Sequence, residues 1–358
     1  IMTWLTAAGC SCSSCVDIDG GTFFPLLNMA ADSLPMATPA VVMLAMKSYS
    51  FKLALRGILT MEIDRAALNK QAIASAKHYM GKMAWPTIAL TVSVVTAFIL
   101  CLALFASGAL SPWLAFIACA ALTYMSYTPL HEAAHGNIHG QNDKYKWLND
   151  LCGYLVAPII AIPYASHRIE HFTHHRYTNQ ADKDPDFIVS SMGKGAVSFI
   201  TTIFKFLWTQ NSFFVKHGWA AASLKERSIY CLEVAVSLGW RTAFLTFVDQ
   251  PGTFAVILLG YIAGGIFTAY WFAYRPHFPY DQTQRYRTTS SLIMPAWMKP
   301  VEWFWFGQNL HSIHHLFPRV PFYQYHALHR DIEPILRAHD TPIIGIFSRM
   351  PVSPNTPQ

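Results

Sequence analysis

Eight of the sixteen histidines in this chain lie in three short groups whose spacing is typical of metal ligands. The groups are His131 and His135; His171, His174 and His175; and His311, His314 and His315. Helical residues three or four positions apart share a face, so His131 and His135 can reach one ion. In the other groups we expect the first histidine and the one three positions later to share a face, while the adjacent histidine reaches toward a second centre. Together the groups predict a shared metal centre.

The number and type of these ligands bear on which metal they hold. Eight neutral imidazoles exceed the four ligands of one zinc ion, and cysteine, common at structural zinc sites, is absent from the groups. Two ions are therefore predicted. Imidazole binds iron, copper, nickel and zinc alike, so ligand type leaves the metal open. The apolar setting favours iron, because oxidation by O2 at iron attacks C–H bonds, whereas hydrolysis needs a leaving group.

The elements that carry these histidines are expected to cross a membrane. The chain is 53% hydrophobic and only 13% charged, and a spanning helix needs about 20 apolar residues. Residues 83–131 contain no Asp, Glu, Lys or Arg and divide at 107–112, and residues 250–274 are again uncharged. Residues 228–247 carry only Glu233 and Arg241. We predict an all-α integral membrane fold with four transmembrane helices in two hairpins.

The third of these spans, 228–247, carries two charges that need an explanation. Ionised side chains near mid-membrane cost several kcal/mol unless they are paired or face the bundle interior. A shorter interfacial helix is the alternative. Three further apolar stretches, 151–165, 197–208 and 343–347, are too short to span and are expected in the interface or the interior.

The distribution of positive charge predicts the orientation of the chain. Neither hairpin turn contains Lys or Arg. In contrast, seven basic residues precede the first span: Lys47, Lys52, Arg56, Arg65, Lys70, Lys77 and Lys82. Both turns should therefore face away from the cytoplasm. The segments 131–227 and 275–358 then form a cytoplasmic helical cap, and all three histidine groups emerge on that side.

The segments HEAAH (131–135), HFTHH (171–175) and HSIHH (311–315) resemble the three histidine boxes of the membrane fatty acid desaturase superfamily. The resemblance covers roughly residues 85–335 and includes Asp184-Pro185-Asp186 after the second box, a sequence that is also common in turns and helix caps. It implies that the eight box histidines bind two non-haem iron ions, with O2 as co-substrate and an acyl or isoprenoid chain held beside them.

The resemblance also implies a ninth ligand after the fourth span. His277 is the candidate, with an interfacial histidine as the alternative. His139 lies one turn beyond His135, and His167 one turn before His171. Either is a further ligand or a hydrogen-bond partner of one, and we expect the second role or a surface position.

The activity implied by the resemblance is that of an O2-dependent oxidoreductase. We expect a fatty acyl desaturase that introduces a double bond into a long acyl chain; the alternative is a hydroxylase of a carotenoid or another long apolar lipid. The sequence contains no dinucleotide fingerprint, four-cysteine iron–sulfur pattern or fused cytochrome b5 motif. Electrons are therefore expected from an external donor of the ferredoxin or cytochrome b5 type.

Other classes of function fit the residues less well. A metal transporter should carry histidines inside its spans, and the two best-defined apolar tracts lack them. An inactive relative acting as a binding protein should have lost parts of the boxes, which are intact here. No nucleic-acid partner is expected, because the basic residues flank apolar stretches and form no basic face with interleaved aromatics.

The divisions along the chain follow from these patterns. Residues 1–46, with Cys10, Cys12 and Cys15, are expected to be a disordered or artefactual leader. Residues 47–84 form a basic amphipathic cytoplasmic segment, 85–340 the membrane domain and 341–358 a C-terminal tail.

Overall fold

The computed structural model describes residues 64–348. The predictions for the leader 1–46, for residues 47–63 and for the last part of the tail, 349–358, lie outside the described residues. Within this range the chain is mainly helical, which agrees with the predicted class. The helices are α1 (64–77), α2 (Trp85–Ala106), α3 (Pro112–His135), α4 (Lys146–Ile160), α5 (Tyr164–Tyr177), α6 (Ala196–Phe213), α7 (Leu224–Phe247), α8 (Gly260–Thr268), α9 (His311–Leu316) and α10 (Tyr325–Ala338).

Three helices of the described range are long and apolar enough to cross a membrane. They are α2, α3 and the longer helix Ala255–Tyr274, in which α8 is flanked by π-helical turns. A fourth is reached if the bent pair Asp143–Ile160 and Tyr164–Tyr177 is counted as one span. The chain therefore has three to four candidate spans. The first predicted hairpin corresponds to α2 and α3, and the side chain of Ser111 caps the start of α3.

The third predicted span falls on α7, one continuous helix of 24 residues that is not among these candidate spans. Its start is fixed by a capping box, in which Ser223 and Glu226 each accept a hydrogen bond from the backbone N–H of the other. The helix is thus not shortened by its charges. Glu233 and Arg241, although ionisable, are only 8% and 7% exposed.

The spans pack around a shared apolar core. Phe98 and Phe105 of α2, Cys119 of α3 and Val256 of the last span belong to one buried cluster. Ile159, at the end of α4, belongs to it as well. The tip of α4 therefore reaches in among the spans, where α5 turns away at 98°; we call residues 158–165 the elbow.

The short apolar stretches fall into different settings. Residues 151–165 form the C-terminal part of α4 and the elbow. Val156, Ala157 and Ile160 of this stretch are buried. The stretch 197–208 lies in α6 and exposes a stripe at helical spacing: Val197, Ile200, Phe204 and Trp208. Such a stripe is typical of a helix lying in a membrane interface.

A second cluster of buried residues lies among α1, α9 and α10. Ala72 and Ala76 of α1 pack with Leu328 and Ile332 of α10. A two-stranded parallel sheet, which the sequence analysis did not predict, borders this cluster: β1 (Ser291–Ile293) pairs with β2 (Ile343–Gly345), Ser291 facing Ile343. Strands of three residues are too short to produce a recognisable alternation of apolar and polar residues.

Candidate metal centre

The first histidine group occupies the last turn of α3. His131 and His135 are 0% and 5% exposed. Gly136 follows in the left-handed conformation with φ +69° and ends the helix. Glycine adopts this conformation without a side-chain clash, so α3 stops directly after its second histidine. The two imidazoles therefore project from a well-defined helix end.

Five imidazoles form the first cluster, and their ligand nitrogen atoms lie within 4.8 Å of one another: His131, His135, His171, His175 and His314. The Nε2 atom of His314 lies 3.0 Å from Nε2 of His131 and 2.8 Å from Nε2 of His175. The Nε2 atom of His171 lies 2.9 Å from that of His135. The ends of α3, α5 and α9 thus converge on one point.

Three imidazoles form the second cluster, again with ligand nitrogen atoms within 4.8 Å of one another: His174, His277 and His315. The Nε2 atoms of His174 and His315 are 3.3 Å apart. His311 lies against this cluster, with its Nε2 atom 3.1 Å from that of His277. The structure therefore brings together all eight box histidines and His277.

The division of the boxes between the clusters differs from the predicted one. His171 shares its cluster with His175 rather than with His174, and His311 lies beside His315 rather than sharing a cluster with His314. Residues four apart on an α-helix differ by about 40° in direction and residues three apart by about 60°, so the former converge more readily. The box on α5 and the box on α9 each contribute histidines to both clusters, as expected.

The outer nitrogen atoms of three imidazoles are held by neighbouring oxygens. Nδ1 of His174 donates to Oδ1 of Asp184 at 2.8 Å, and Nδ1 of His277 lies 3.3 Å from Oδ1 of Asn179. The hydroxyl of Tyr325 is 3.2 Å from Nδ1 of His314. A proton on each Nδ1 leaves Nε2 with its lone pair directed into the cluster.

Sequence reasoning identified Asp184 only as part of a motif. Its carboxylate caps the helical turn Pro185–Lys194 by accepting the N–H of Asp186 and also orients His174. The roles of Asn179 and Tyr325 were missed, because neither lies in a local pattern that points to the centre.

Burial favours the neutral form of His277, His311, His314 and His315. Desolvation lowers the pKa of His311 to about 3, with a smaller effect from His174. Burial and then neighbouring imidazoles hold the pKa values of His277, His314 and His315 well below the usual range. Neutral imidazole is the form that binds metal.

The donor set fits bound cations. Nε2 of His171 approaches two other Nε2 atoms, at 2.9 and 3.1 Å, and a neutral imidazole has only one N–H to share. Lone pairs that converge without enough donors are satisfied by a cation. Nitrogen ligands of this kind suit iron, copper, nickel and zinc.

His139 and His167 belong to neither cluster. Nδ1 of His167 lies 3.3 Å from Oε1 of Gln210, and its ring stacks on that of His171 at 5.0 Å between centroids. His139 is half-buried and lies beside Gly136. His167 therefore contacts a histidine of the first cluster through its ring, whereas His139 contacts the glycine that ends α3.

A narrow cavity opens beside the centre. Four histidines contribute to its wall: His171, His174, His277 and His311. The remaining wall is largely apolar and comes from the elbow, α6 and the last span, including Ile160, Phe206, Gly265 and Phe272. An apolar chain in this cavity would lie against both clusters.

Comparison with known proteins extends these observations. Residues 107–347 match the family model described as fatty acid desaturase. The chain is 24% identical to the sn-1 oleoyl-lipid 12-desaturase of Anabaena variabilis over 253 residues, 63% of this chain and 71% of that protein. It is 23% identical to the chloroplastic omega-6 fatty acid desaturase of Arabidopsis thaliana, over 62% of this chain and 54% of that protein.

A shorter match involves a relative whose name includes a redox partner. The chain is 37% identical to the sn-1 acyl-lipid omega-3 desaturase (ferredoxin) of a Nostoc species over 75 residues, 21% of each protein. The family match covers more than half of the chain and includes all three histidine boxes and His277. The chain belongs to the membrane fatty acid desaturase family.

Proposed function

We propose that this protein is an O2-dependent di-iron desaturase that introduces a double bond into a long acyl chain of a lipid. The observation that carries the proposal is the convergence of eight histidines in two adjacent clusters, with a ninth, His311, against the second cluster. The family and the names of the relatives, which are lipid desaturases, support the type of reaction.

Each cluster would hold one iron ion. The ligands of the first would be His131, His135, His171, His175 and His314, and those of the second His174, His277, His311 and His315. Two reduced iron ions supply the means to activate O2 for removal of hydrogen from an unactivated carbon. Asp184 and Tyr325 hold His174 and His314 in position, so the ligands need little rearrangement when metal binds.

The narrow cavity is the proposed site of the acyl chain. Its wall combines apolar side chains such as Phe206 and Phe272 with imidazoles of both proposed iron sites. Apolar walls hold methylene groups and exclude water, which protects the reactive centre from side reactions. The relatives' names, which specify acyl-lipid and oleoyl-lipid substrates, support an acyl chain over a polyene.

We further propose four spanning helices in two hairpins, with the metal centre on the cytoplasmic side. In this proposal α7, rather than the bent pair of α4 and α5, joins the three candidate spans, because α7 has spanning length and its two mid-helix charges are buried in the protein. The absence of Lys and Arg from both hairpin turns supports the orientation. The membrane domain would extend over 85–340.

Electrons would come from a separate protein. Removal of two hydrogens from the acyl chain supplies two of the four electrons that reduce O2 to water, so the other two must be delivered from outside. One relative is named with ferredoxin, which supports a ferredoxin-type donor; a cytochrome b5-type protein is the alternative.

The test is mass spectrometry of total lipids from a host that supplies a ferredoxin and its reductase. Hosts expressing the wild-type chain and the His174→Ala variant are compared. We expect an acyl species lighter by two hydrogens in the first host and a loss of more than about a hundredfold of this product in the second, since a ligand is removed.

Membrane insertion and expression of the variant serve as controls. A product heavier by one oxygen would identify the protein as a hydroxylase rather than a desaturase. Full activity of the His174→Ala variant would contradict the ligand assignment.

A further inference from the structure

Glu233 on α7 binds the start of the helix that carries the second histidine box. Its Oε1 atom accepts a hydrogen bond from the backbone N–H of Tyr164 at 2.6 Å, and its Oε2 atom accepts one from Ala165 at 3.2 Å. The residue before α5, Pro163, provides no side-chain cap. The carboxylate of α7 therefore takes the role that a capping residue usually has within the same helix.

Arg241 on α7 binds the other side of the elbow. Its guanidinium donates to the carbonyl oxygens of Pro158 and Ile159, each at 2.8 Å. The indole N–H of Trp240 donates to the same Pro158 oxygen at 3.1 Å. These carbonyls close the last turn of α4 and have no intrahelical partner of their own.

The signs of the two charges match the ends that they bind. The end of α4 carries partial negative charge and meets Arg241, while the start of α5 carries partial positive charge and meets Glu233. Unsatisfied backbone groups among apolar spans are costly, so both contacts stabilise the elbow in this position. Each charge in turn finds backbone partners within an otherwise apolar setting.

The start of α5 lies two turns from the metal centre. His171 follows Tyr164 by seven residues on a continuous helix, a distance of about 10 Å along its axis. Three box histidines, His171, His174 and His175, lie on this helix and enter both clusters. A displacement of the first turn of α5 would therefore move ligands in both.

We propose that Glu233 and Arg241 are positioning residues that lock the elbow, and that Glu233 thereby sets the position of α5 at the metal centre. The part of this inference that concerns metal rests on the proposed function, in which the histidines of α5 bind iron. Neither residue contacts the centre, so their effect is transmitted through the backbone of α5.

Hydrogen–deuterium exchange and iron release test the inference on the full-length protein in detergent. The variants are Glu233→Gln, which keeps one acceptor oxygen, and Glu233→Ala, which keeps none. Asp249→Asn is the control, since it removes one negative charge at an exposed position beyond α7.

We expect the amides at the start of α5 to exchange about tenfold faster in Glu233→Ala. This factor corresponds to the loss of local stability that is typical when a cap is removed and buried donors are left unpaired. Iron should pass to a chelator faster in the same variant. Glu233→Gln should be intermediate in both measurements, and Asp249→Asn should match the wild type. Arg241→Gln should raise exchange at the end of α4.

The two readouts separate the inference from the proposed function. Unchanged exchange at the start of α5 in both Glu233 variants would show that Glu233 does not stabilise the elbow. Faster exchange with an unchanged rate of iron release would overturn the positioning role. A wild-type chain that binds no iron would overturn the proposed function, and exchange would then still decide whether the lock exists. If Glu233→Ala does not fold, Glu233→Gln provides both measurements.

Discussion

Asp184 connects three parts of the metal centre through one buried carboxylate. Oδ1 accepts from Nδ1 of His174 and from the N–H of Asp186, and Oδ2 accepts from the N–H of Asn179. Asn179 in turn faces Nδ1 of His277. One acidic side chain thus orients two imidazoles of the second cluster, the first directly and the second through Asn179.

The Asp184→Asn variant should bind iron about ten- to a hundredfold more weakly than the wild type, the usual effect of losing a partner of a metal-ligating histidine. The amide keeps one acceptor oxygen but loses the negative charge that favours a proton on Nδ1 of His174. Iron content after dialysis against graded chelator concentrations measures the change.

Asp182→Asn is the matched control, because Asp182 is exposed two positions away. Equal iron retention in the two variants would show that the Asp184 carboxylate does not contribute to the site.

At this scale the sequence predicted the histidines that converge far better than the residues that hold them in place. The box histidines stand out because ligand spacing on one helix is a local property. His277 was found from its place after the last apolar tract and through the resemblance to the family. Tyr325 reaches His314 only because α10 packs beside α9, and packing between helices leaves no trace in local spacing.

The two adjacent glycines of α8, Gly264 and Gly265, lie in different surroundings. A Cβ atom on Gly264 would meet the Ala120 carbonyl oxygen and the Thr123 side chain of α3. A Cβ atom on Gly265 would meet nothing within 4 Å, and Gly265 lines the narrow cavity. Gly264 therefore permits close helix packing, whereas Gly265 leaves space beside the proposed acyl site.

We expect Gly265→Phe to fold but to lower turnover of long acyl chains relative to shorter ones by about tenfold, the scale on which apolar pockets discriminate. The bulky ring would occupy cavity space that a long chain needs. Competition between acyl lipids of different length, followed by mass spectrometry, measures the ratio.

Gly264→Ala is the informative comparison. The added methyl would force α8 away from α3 and reduce the yield of folded protein, because overpacking costs about 1–3 kcal/mol. An unchanged chain-length ratio in a folded Gly265→Phe protein would remove the cavity from the substrate path.

The elements themselves were predictable to different degrees. Long uncharged tracts predicted α2, α3 and Ala255–Tyr274, since length and hydropathy are sums over many residues. The charges of α7 obscured its assignment, and their explanation lies in contacts with residues 158–165. The direction in which a chain turns at such an elbow depends on tertiary partners, which hydropathy does not report.

The whole molecule should have both hairpin turns on the side opposite the metal centre. Single cysteines at Ala109 and Asp249, both exposed in the turns, and at Lys183, exposed near the centre, test this arrangement. A membrane-impermeant thiol reagent should label the first two from outside intact cells and Lys183→Cys only after lysis, each relative to the unsubstituted chain.

Labelling of the Lys183→Cys protein in intact cells would reverse the orientation. Labelling of only one turn from outside would leave an odd number of crossings between the turns and contradict the two-hairpin arrangement.

The division of α5 and α9 between the two clusters has a consequence for metal loading. Neighbouring residues His174 and His175 serve different clusters, as do His314 and His315. An ion bound in one cluster would order the backbone that presents ligands to the other, and the second ion would then bind with less entropy left to lose. Loading should be cooperative: at limiting iron, native mass spectrometry should find mostly empty and doubly loaded chains, with the singly loaded form scarce.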